Sequence, residues 1–225
     1  MKGITYTLPL IALSVFLFAG CEKDNRTPPG STLTGRVVYN KEPIGVRSGG
    51  VSFEIWQRGF QLFSSLPLNI AQDGSFSAVL YNGDYKLVRA RGAGPWADAS
   101  DSIDVHLSGS ATIDIPVNPY FIITNAGFQK NGSNITGTFT VQMVNTTREM
   151  ELVRIYIGPN YVLDQNNNSA NVTRTAPFNI TTPVTLNVAI PASLAAENFI
   201  YARVGVKTRG INELMYSTSQ KVQLK

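Results

Sequence analysis

The chain alternates apolar and polar residues in short segments that are separated by turn residues. In the first half these segments are Leu33–Val37, Val51–Ile55, Phe76–Leu80, Tyr85–Val88, Ile103–Leu107 and Ile113–Ile115. Because successive side chains of a strand point to opposite faces, each segment predicts a half-buried β-strand. The pairs Asp73-Gly74 and Asn82-Gly83 predict hairpin turns, since glycine readily adopts the positive φ that tight turns need.

The second half shows the same pattern. Its predicted strands are Tyr120–Thr124, Ile135–Val144, Leu152–Ile157, Val184–Ile190, Phe199–Val206 and Met215–Leu224. In the second of them, Ile135, Phe139, Val141 and Met143 are predicted to share one face. Residues 58–67 and the Asn-rich residues 164–173 are predicted loops, and residues 191–197 a short helical turn. No long stretch has a 3.6-residue period, so the pattern predicts an all-β chain of two tandem β-sandwiches.

The first 20 residues have the features of a bacterial lipoprotein signal peptide. Lys2 supplies the positive charge, residues 4–18 are mostly apolar, and Phe18-Ala19-Gly20 precedes Cys21. The apolar run is too short and too interrupted for a comfortable membrane span of about 20 residues. This arrangement resembles a lipobox, which implies acylation of Cys21, although Phe18 stands where Leu is usual. An ordinary secretory signal followed by a chance cysteine is the alternative.

Residues 21–30 are polar and Pro-rich, which predicts a tether between the anchor and the folded domains. The charged residues directly after Cys21 resemble the export signal of surface lipoproteins in Bacteroidetes. We therefore expect attachment to the outer membrane by a lipid anchor, with the protein facing the cell exterior. An anchor that faces the periplasm is the alternative. Two sandwiches are expected to follow the tether, over residues 31–118 and 119–225.

Charge and reactive residues exclude several functions. The whole chain has 19 basic and 15 acidic residues, and Lys2 is the only one of them within residues 1–20. Without that segment, 18 basic and 15 acidic residues remain. The basic residues are dispersed, so no nucleic-acid footprint is predicted. His106 is the only histidine and Cys21 the only cysteine. A catalytic triad and common zinc sites both need more such residues, so neither an enzyme, nor a metal site, nor a cofactor is expected.

Several polar residues near position 100 require a separate interpretation. His106 and Asp104 are predicted on the outward face of their strand, as ordinary surface residues. Asp98, Asp101 and Asp104 have a spacing that could gather around calcium, but a solvated loop is the better interpretation. Asp101-Ser102-Ile103 matches a short O-glycosylation signal of Bacteroidetes, which makes Ser102 a candidate modification site.

The aromatic residues supply the candidate binding site. Trp56 is out of phase with the apolar positions of its strand, and Trp96 lies in a Gly/Pro loop. Phe60 and Phe63 follow in a predicted loop. Exposed aromatic faces bind sugars because a pyranose presents C–H groups that stack on a ring, and an exposed apolar patch marks an interaction site. We predict a ligand platform from Trp56, Phe60, Phe63 and Trp96; the alternative is that either Trp fills the junction between the domains.

Longer motifs connect the chain with known families. Leu33-Thr-Gly-Arg-Val-Val, Gln72-Asp-Gly-Ser-Phe and Gly83-Asp-Tyr-Lys-Leu resemble carboxypeptidase-regulatory or transthyretin-like sandwiches. Together with Gly92-Ala-Gly-Pro-Trp96 and Asn118-Pro119-Tyr120-Phe121, they resemble the Bacteroidetes lipoproteins called domain of unknown function 3823. Phe199-Ile-Tyr-Ala-Arg-Val-Gly-Val and Tyr216-Ser-Thr-Ser resemble the last strands of a fibronectin type III or immunoglobulin-like domain.

The family resemblance implies a role beside outer-membrane glycan-uptake systems, near which such proteins are often encoded. Two hypotheses remain open. The first is a surface lipoprotein that binds polysaccharide without catalysis. The second is a structural subunit that docks on a transporter complex or another envelope protein and has no sugar site.

Overall fold

The computed structural model describes residues 27–59 and 64–225, and within them the chain is built from β-strands. The first sandwich contains eight strands: β1 (Ser31–Tyr39), β2 (Glu42–Pro43), β3 (Ser52–Gln57), β4 (Leu66–Asn69), β5 (Ser75–Leu80), β6 (Gly83–Arg89), β7 (Ser102–Leu107) and β8 (Ser110–Pro116). The second contains β9 (Phe121–Asn131), β10 (Asn134–Met143), β11 (Met150–Gly158), β12 (Ala170–Thr175), β13 (Val184–Ala189), β14 (Phe199–Thr208), β15 (Met215–Tyr216) and β16 (Gln220–Gln223). The predicted all-β, two-sandwich fold is confirmed.

Each sandwich is formed by two sheets. In the first, β1 pairs with β8 in parallel and with β2 and β5 antiparallel, while the other sheet has the order β4-β3-β6-β7. In the second, one sheet has the strand order β13-β10-β9. The sheet that faces it has the order β12-β11-β14, and both β15 and β16 pair with β14. The inward side chains of each pair form a separate core, including Leu33, Phe53 and Leu87 in the first domain and Phe139, Ile155 and Val204 in the second.

Several sequence-based predictions of local structure are wrong in detail. The turns at Asp73-Gly74 and Asn82-Gly83 connect β4 to β5 and β5 to β6, which lie in different sheets, so neither turn closes a hairpin. The predicted strand Met215–Leu224 is divided into β15 and β16. β4 begins at Leu66, inside the predicted loop of residues 58–67, and β12 begins at Ala170, inside the predicted polar loop of residues 164–173. Met143 lies at the end of its strand and is 41% exposed, although Ile135, Phe139 and Val141 are buried as predicted. Edge strands and strand ends pack on one side only, so their sequences carry a weaker apolar signal. The predicted helical turn is present as a short 3-10 helix over Ala192–Leu194.

The two sandwiches meet at a buried polar junction centred on Arg203. Its side chain is fully buried in the strand β14, where the sequence pattern would place it on an outward face. The guanidinium donates to the backbone oxygens of Val46 and Gln72 in the first domain, at 2.9 and 2.8 Å, and to those of Leu163 and Ser217 in the second, at 2.8 Å each. The junction therefore covers the outward face of β14 with the other domain.

Candidate functional site

The outward face of the sheet β4-β3-β6-β7 presents an ordered array of polar side chains around Trp56. The register places Trp56 of β3 opposite Lys86 of β6, and Lys86 opposite Asp104 of β7. On one side of this row Asp84 pairs with His106, and on the other Val88 pairs with Ser102. Because the pleat puts alternate residues on one face, these side chains share a surface with Trp56.

Hydrogen bonds fix the groups that surround the Trp56 ring. The indole Nε1 donates to Glu54 Oε2 at 2.9 Å, two residues back on the same strand. Lys86 Nζ donates to Asp104 Oδ1 at 2.5 Å, and His106 Nδ1 lies 2.6 Å from Asp84 Oδ1. The Lys86–Asp104 and His106–Asp84 pairs are open to solvent, so their net contribution to stability is small. Their spare oxygens and N–H groups remain available to a polar ligand.

A shallow surface cavity of about 370 Å³ opens beside the ring. Its lining includes Trp56, Arg58, Lys86, Val88, Ser102 and Asp104. The cavity thus combines the Trp56 ring with an aliphatic side chain and both signs of charge. A ligand with alternating C–H faces and hydroxyl groups suits such a surface, because aromatic rings supply contact area while charged groups make strong hydrogen bonds.

Trp96 is not part of this surface, and the prediction of an exposed ring is wrong. The side chain is 3% exposed, and its ring centroid lies 6.0 Å from that of Phe53 within the first core. Gly94 makes this possible: a Cβ there would lie 2.3 Å from the indole, so the loop folds the ring back over a glycine. The backbone of Trp96 also forms a β-bridge with Pro119, just before the first strand of the second domain.

The remaining sequence-based site residues have different outcomes. Phe60 and Phe63 lie outside the described residues, as does Cys21, so these predictions remain open. Trp56 lies partly exposed on the outward face, opposite in orientation to the buried Phe53 and Ile55, as its phase predicts. Ser102 is exposed at the start of β7, and its modification stays a prediction.

The three aspartates near position 100 have separate partners. Asp98 accepts the backbone N–H of Gly92 at 2.7 Å, Asp101 pairs with Arg89, and Asp104 pairs with Lys86. Hydrogen bonding to the Arg89 guanidinium lowers the pKa of Asp101. Within residues 27–59 and 64–225, no group of three His, Cys, Asp or Glu side chains is placed to hold a metal ion. In the same ranges no helix is long and apolar enough to span a membrane.

Sequence reasoning missed Arg203, the largest fully buried side chain. Burial lowers its pKa to about 10, which still leaves it a cation at neutral pH. The Tyr216 ring lies 4.4 Å from the guanidinium carbon, and burial raises the pKa of this phenol. An arginine between apolar residues on a strand gives no sequence signal that a second domain will cover it.

Comparison with known proteins gives a consistent family relationship. Residues 31–118 match the family model described as protein of unknown function (DUF3823) N-terminal domain, and residues 121–221 match domain of unknown function (DUF3823_C). A DUF3823 family protein from Bacteroides ovatus is 43% identical, with a TM-score of 0.82 over 88% of this chain and 100% of its own. One from Parabacteroides merdae is 27% identical, with a TM-score of 0.80 over 86% and 98%.

A more distant structure shares the fold. It is described as a putative carbohydrate binding protein from Bacteroides uniformis and is 15% identical, with a TM-score of 0.72 over 87% of this chain and 100% of its own. At this identity the likeness concerns the fold alone. No curated protein matches the chain.

Proposed function

This chain belongs to the DUF3823 family, and we propose that it is a lipid-anchored cell-surface protein that binds glycan without catalysis, as an accessory to an outer-membrane glycan-uptake system. The lipobox-like sequence before Cys21 supports the anchor and the location. The description of the fold neighbour from Bacteroides uniformis supports carbohydrate as the ligand class. The structure of the Trp56 face supports the position of the site.

The observation that carries the proposal is the partly exposed Trp56 ring within a fixed polar array. Neighbouring strands lie about 4.8 Å apart and alternate residues about 6.7 Å apart, so three strands and three rows span roughly 10 by 13 Å. This area suits a short oligosaccharide segment. One sugar ring would stack on Trp56 while its hydroxyls reach the carboxylates and Lys86 on either side.

The proposal predicts that retention by polysaccharide depends on Trp56. Residues 22–225 are run in native gels that contain single polysaccharides from a broad panel. We expect retardation by at least one of them, and its loss in Trp56→Ala, because stacking on an aromatic ring is worth on the order of 1 kcal/mol or more in binding. Trp56→Phe is expected to retain part of it.

The matched control is Tyr161→Ala, which removes an exposed ring, 44% accessible, from the other domain. It should leave retardation unchanged. Retardation that survives Trp56→Ala would place the glycan site elsewhere. If no polysaccharide in the panel retards the protein, the docking hypothesis replaces the glycan-binding one, and an envelope protein becomes the partner to seek.

A further inference from the structure

One end of the first sandwich carries a concentration of exposed apolar side chains. In the described part of the chain, the large apolar residues with the greatest exposure are Leu66, Val79, Tyr81, Met143, Tyr161 and Val162. Three of these six, Leu66 at 50%, Val79 at 59% and Tyr81 at 46%, line one groove of about 290 Å³. Such clustering marks an interaction surface, whereas single exposed apolar residues are ordinary.

The groove lacks the charges of the Trp56 face. Among the described residues, nine line the groove, and none of these nine is Asp, Glu, Lys or Arg. Burial of this surface against an apolar phase would therefore desolvate no charged side chain, which is the large cost of such contacts. The chemistry favours a lipid surface over a sugar.

The turn that carries Tyr81 is held firmly. The Tyr85 hydroxyl donates to the backbone oxygen of Tyr81 at 2.8 Å, and the backbone N–H of Gly109 donates to Asn82 Oδ1 at 2.9 Å. Ser31 at the start of β1 also bonds the Asn82 side chain. The Tyr81 side chain is therefore presented on a turn whose conformation is fixed by these hydrogen bonds.

The same end receives the tether. Pro29 lines the groove, and β1 begins at Ser31, which pairs with Leu80 at the end of β5. The other end of β1 reaches the junction with the second domain, where Tyr39 lines a cavity together with Ile122 and Tyr216. The apolar groove and the second domain thus lie at opposite ends of the first sandwich.

The length of the tether brings this end close to the anchor. Cys21 and Pro29 are eight residues apart, a distance of at most about 28 Å in a fully extended chain. We propose that the groove end of the first sandwich, with Leu66, Val79 and Tyr81, rests on the lipid bilayer and directs the second domain away from it. This inference relies on the proposed acylation of Cys21.

Tethering makes a small apolar surface sufficient. An anchor within this reach raises the effective concentration of membrane beside the groove, so a contact too weak to recruit a free domain still forms. Tyr81 suits the boundary, since tyrosine presents an apolar ring and a polar hydroxyl to the membrane interface. The two exposed aliphatic residues then enter the apolar layer beside it.

The test uses the full chain, expressed with its leader and reconstituted in vesicles of phosphatidylethanolamine and phosphatidylglycerol. An acylated Cys21 has no free thiol, so Val79→Cys or Tyr81→Cys supplies the only one for an environment-sensitive fluorophore. We expect several-fold weaker iodide quenching on reconstitution, together with quenching by spin-labelled lipid. Met143→Cys, at a comparably exposed position in the second domain, is the control and should remain accessible to iodide.

The outcomes separate this inference from the anchor itself. Protein that floats with the vesicles, but whose positions 79 and 81 remain as accessible as position 143, would overturn the bilayer contact while the anchor stands. With that outcome, a protein partner would replace the lipid bilayer as the expected occupant of the groove. Protein that does not float, and whose mass shows no acyl chains, would overturn both the anchor and the contact that depends on it.

Discussion

At the scale of single residues, the two tryptophans show how local space decides whether a ring packs in the core or stays at the surface. Trp56 follows the phase of its strand and stays on the outward face. Trp96 has no strand phase, and the absence of a side chain at Gly94 lets its ring fold into the core beside Phe53. The two indoles therefore lie in different environments, although the sequence made both of them candidates for a ligand platform.

This difference predicts opposite effects of the two alanine variants on stability. Trp96→Ala should lower the free energy of unfolding by about 3–5 kcal/mol, because it leaves a cavity in a closed core. Trp56→Ala should change it by less than about 1 kcal/mol, since the ring is only partly buried. Urea unfolding of both variants, followed by circular dichroism, measures the difference. Equal losses would contradict the assignment of Trp96 to the core.

The buried phenols provide a second residue-scale prediction. Burial raises the pKa of Tyr156 and Tyr216 above the ordinary value of 10.0. The folded state therefore favours the protonated form, so this contribution to stability is complete below pH 10.0 and is lost as the pH rises above it. An absorbance titration should show these phenols ionising only as the protein unfolds. Tyr216→Phe should remove one phenol from that late step; an unchanged late step would contradict the prediction.

At the scale of elements, the first sheet depends on close approach of β1 to β8. These strands pair in parallel, with Gly35 opposite Ile113. A Cβ at Gly35 would lie 1.8 Å from the Ile113 carbonyl oxygen and 2.5 Å from the Phe76 ring. A side chain at position 35 thus has no room between the neighbouring strand and the Phe76 ring, which accounts physically for the glycine in the motif Leu33-Thr-Gly-Arg-Val-Val.

Gly35→Ala is accordingly expected to be severe. The strands must separate or Phe76 must leave its position in the core, and losses of this kind reach about 4 kcal/mol or more. Gly127→Ala is the matched control: it also lies in a strand, β9, but a Cβ there meets no atom within 4 Å. Thermal unfolding of the two variants compares them. A Gly35→Ala protein as stable as the control would show that the sheet accommodates the methyl group.

At the scale of the whole molecule, Arg203 joins the two sandwiches into one unit. It bonds backbone oxygens of both domains, and the ion pair of Arg47 with Glu213 crosses the same junction at 2.5 Å. Gln72 Nε2 also donates to the backbone oxygen of Tyr161 at 3.0 Å. Because buried acceptors that lose their donors carry a desolvation penalty, these bonds hold the domains in a fixed relation.

Arg203→Ala should therefore uncouple the domains. We expect the wild-type chain to unfold in one calorimetric transition and the variant to show two, with the free energy of unfolding reduced by several kcal/mol for the orphaned acceptors and the cavity. Arg36→Ala is the control, since this arginine is exposed in β1 and pairs with Asp114 at 3.4 Å within the first domain. A single transition in Arg203→Ala would contradict the role of Arg203 as the domain link.

The sequence alone determined the fold class and most of the strands. Period-2 alternation is a local property of each strand, so Leu33, Phe53 and Leu87 were identifiable as core residues and Trp56 as an outward residue without any tertiary contact. Turn glycines such as Gly74, with φ of +84°, marked turns for the same reason, but the sequence did not show that the turns at Gly74 and Gly83 cross from one sheet to the other instead of closing hairpins. Short edge strands such as β4 and β12 were not predicted, because a strand that packs on one side only has few apolar residues in its sequence.

Only the tertiary structure decided which outward residues are free and which are covered. Arg203 and Trp56 both occupy outward strand positions, yet the second domain meets the first over Arg203 and leaves the sheet around Trp56 open. The loop of Trp96 and the groove of Leu66, Val79 and Tyr81 likewise join residues that are distant in sequence. Whether such a residue is covered depends on which distant part of the chain packs against it. The alternation of residues within one strand does not depend on that neighbour and so cannot predict it.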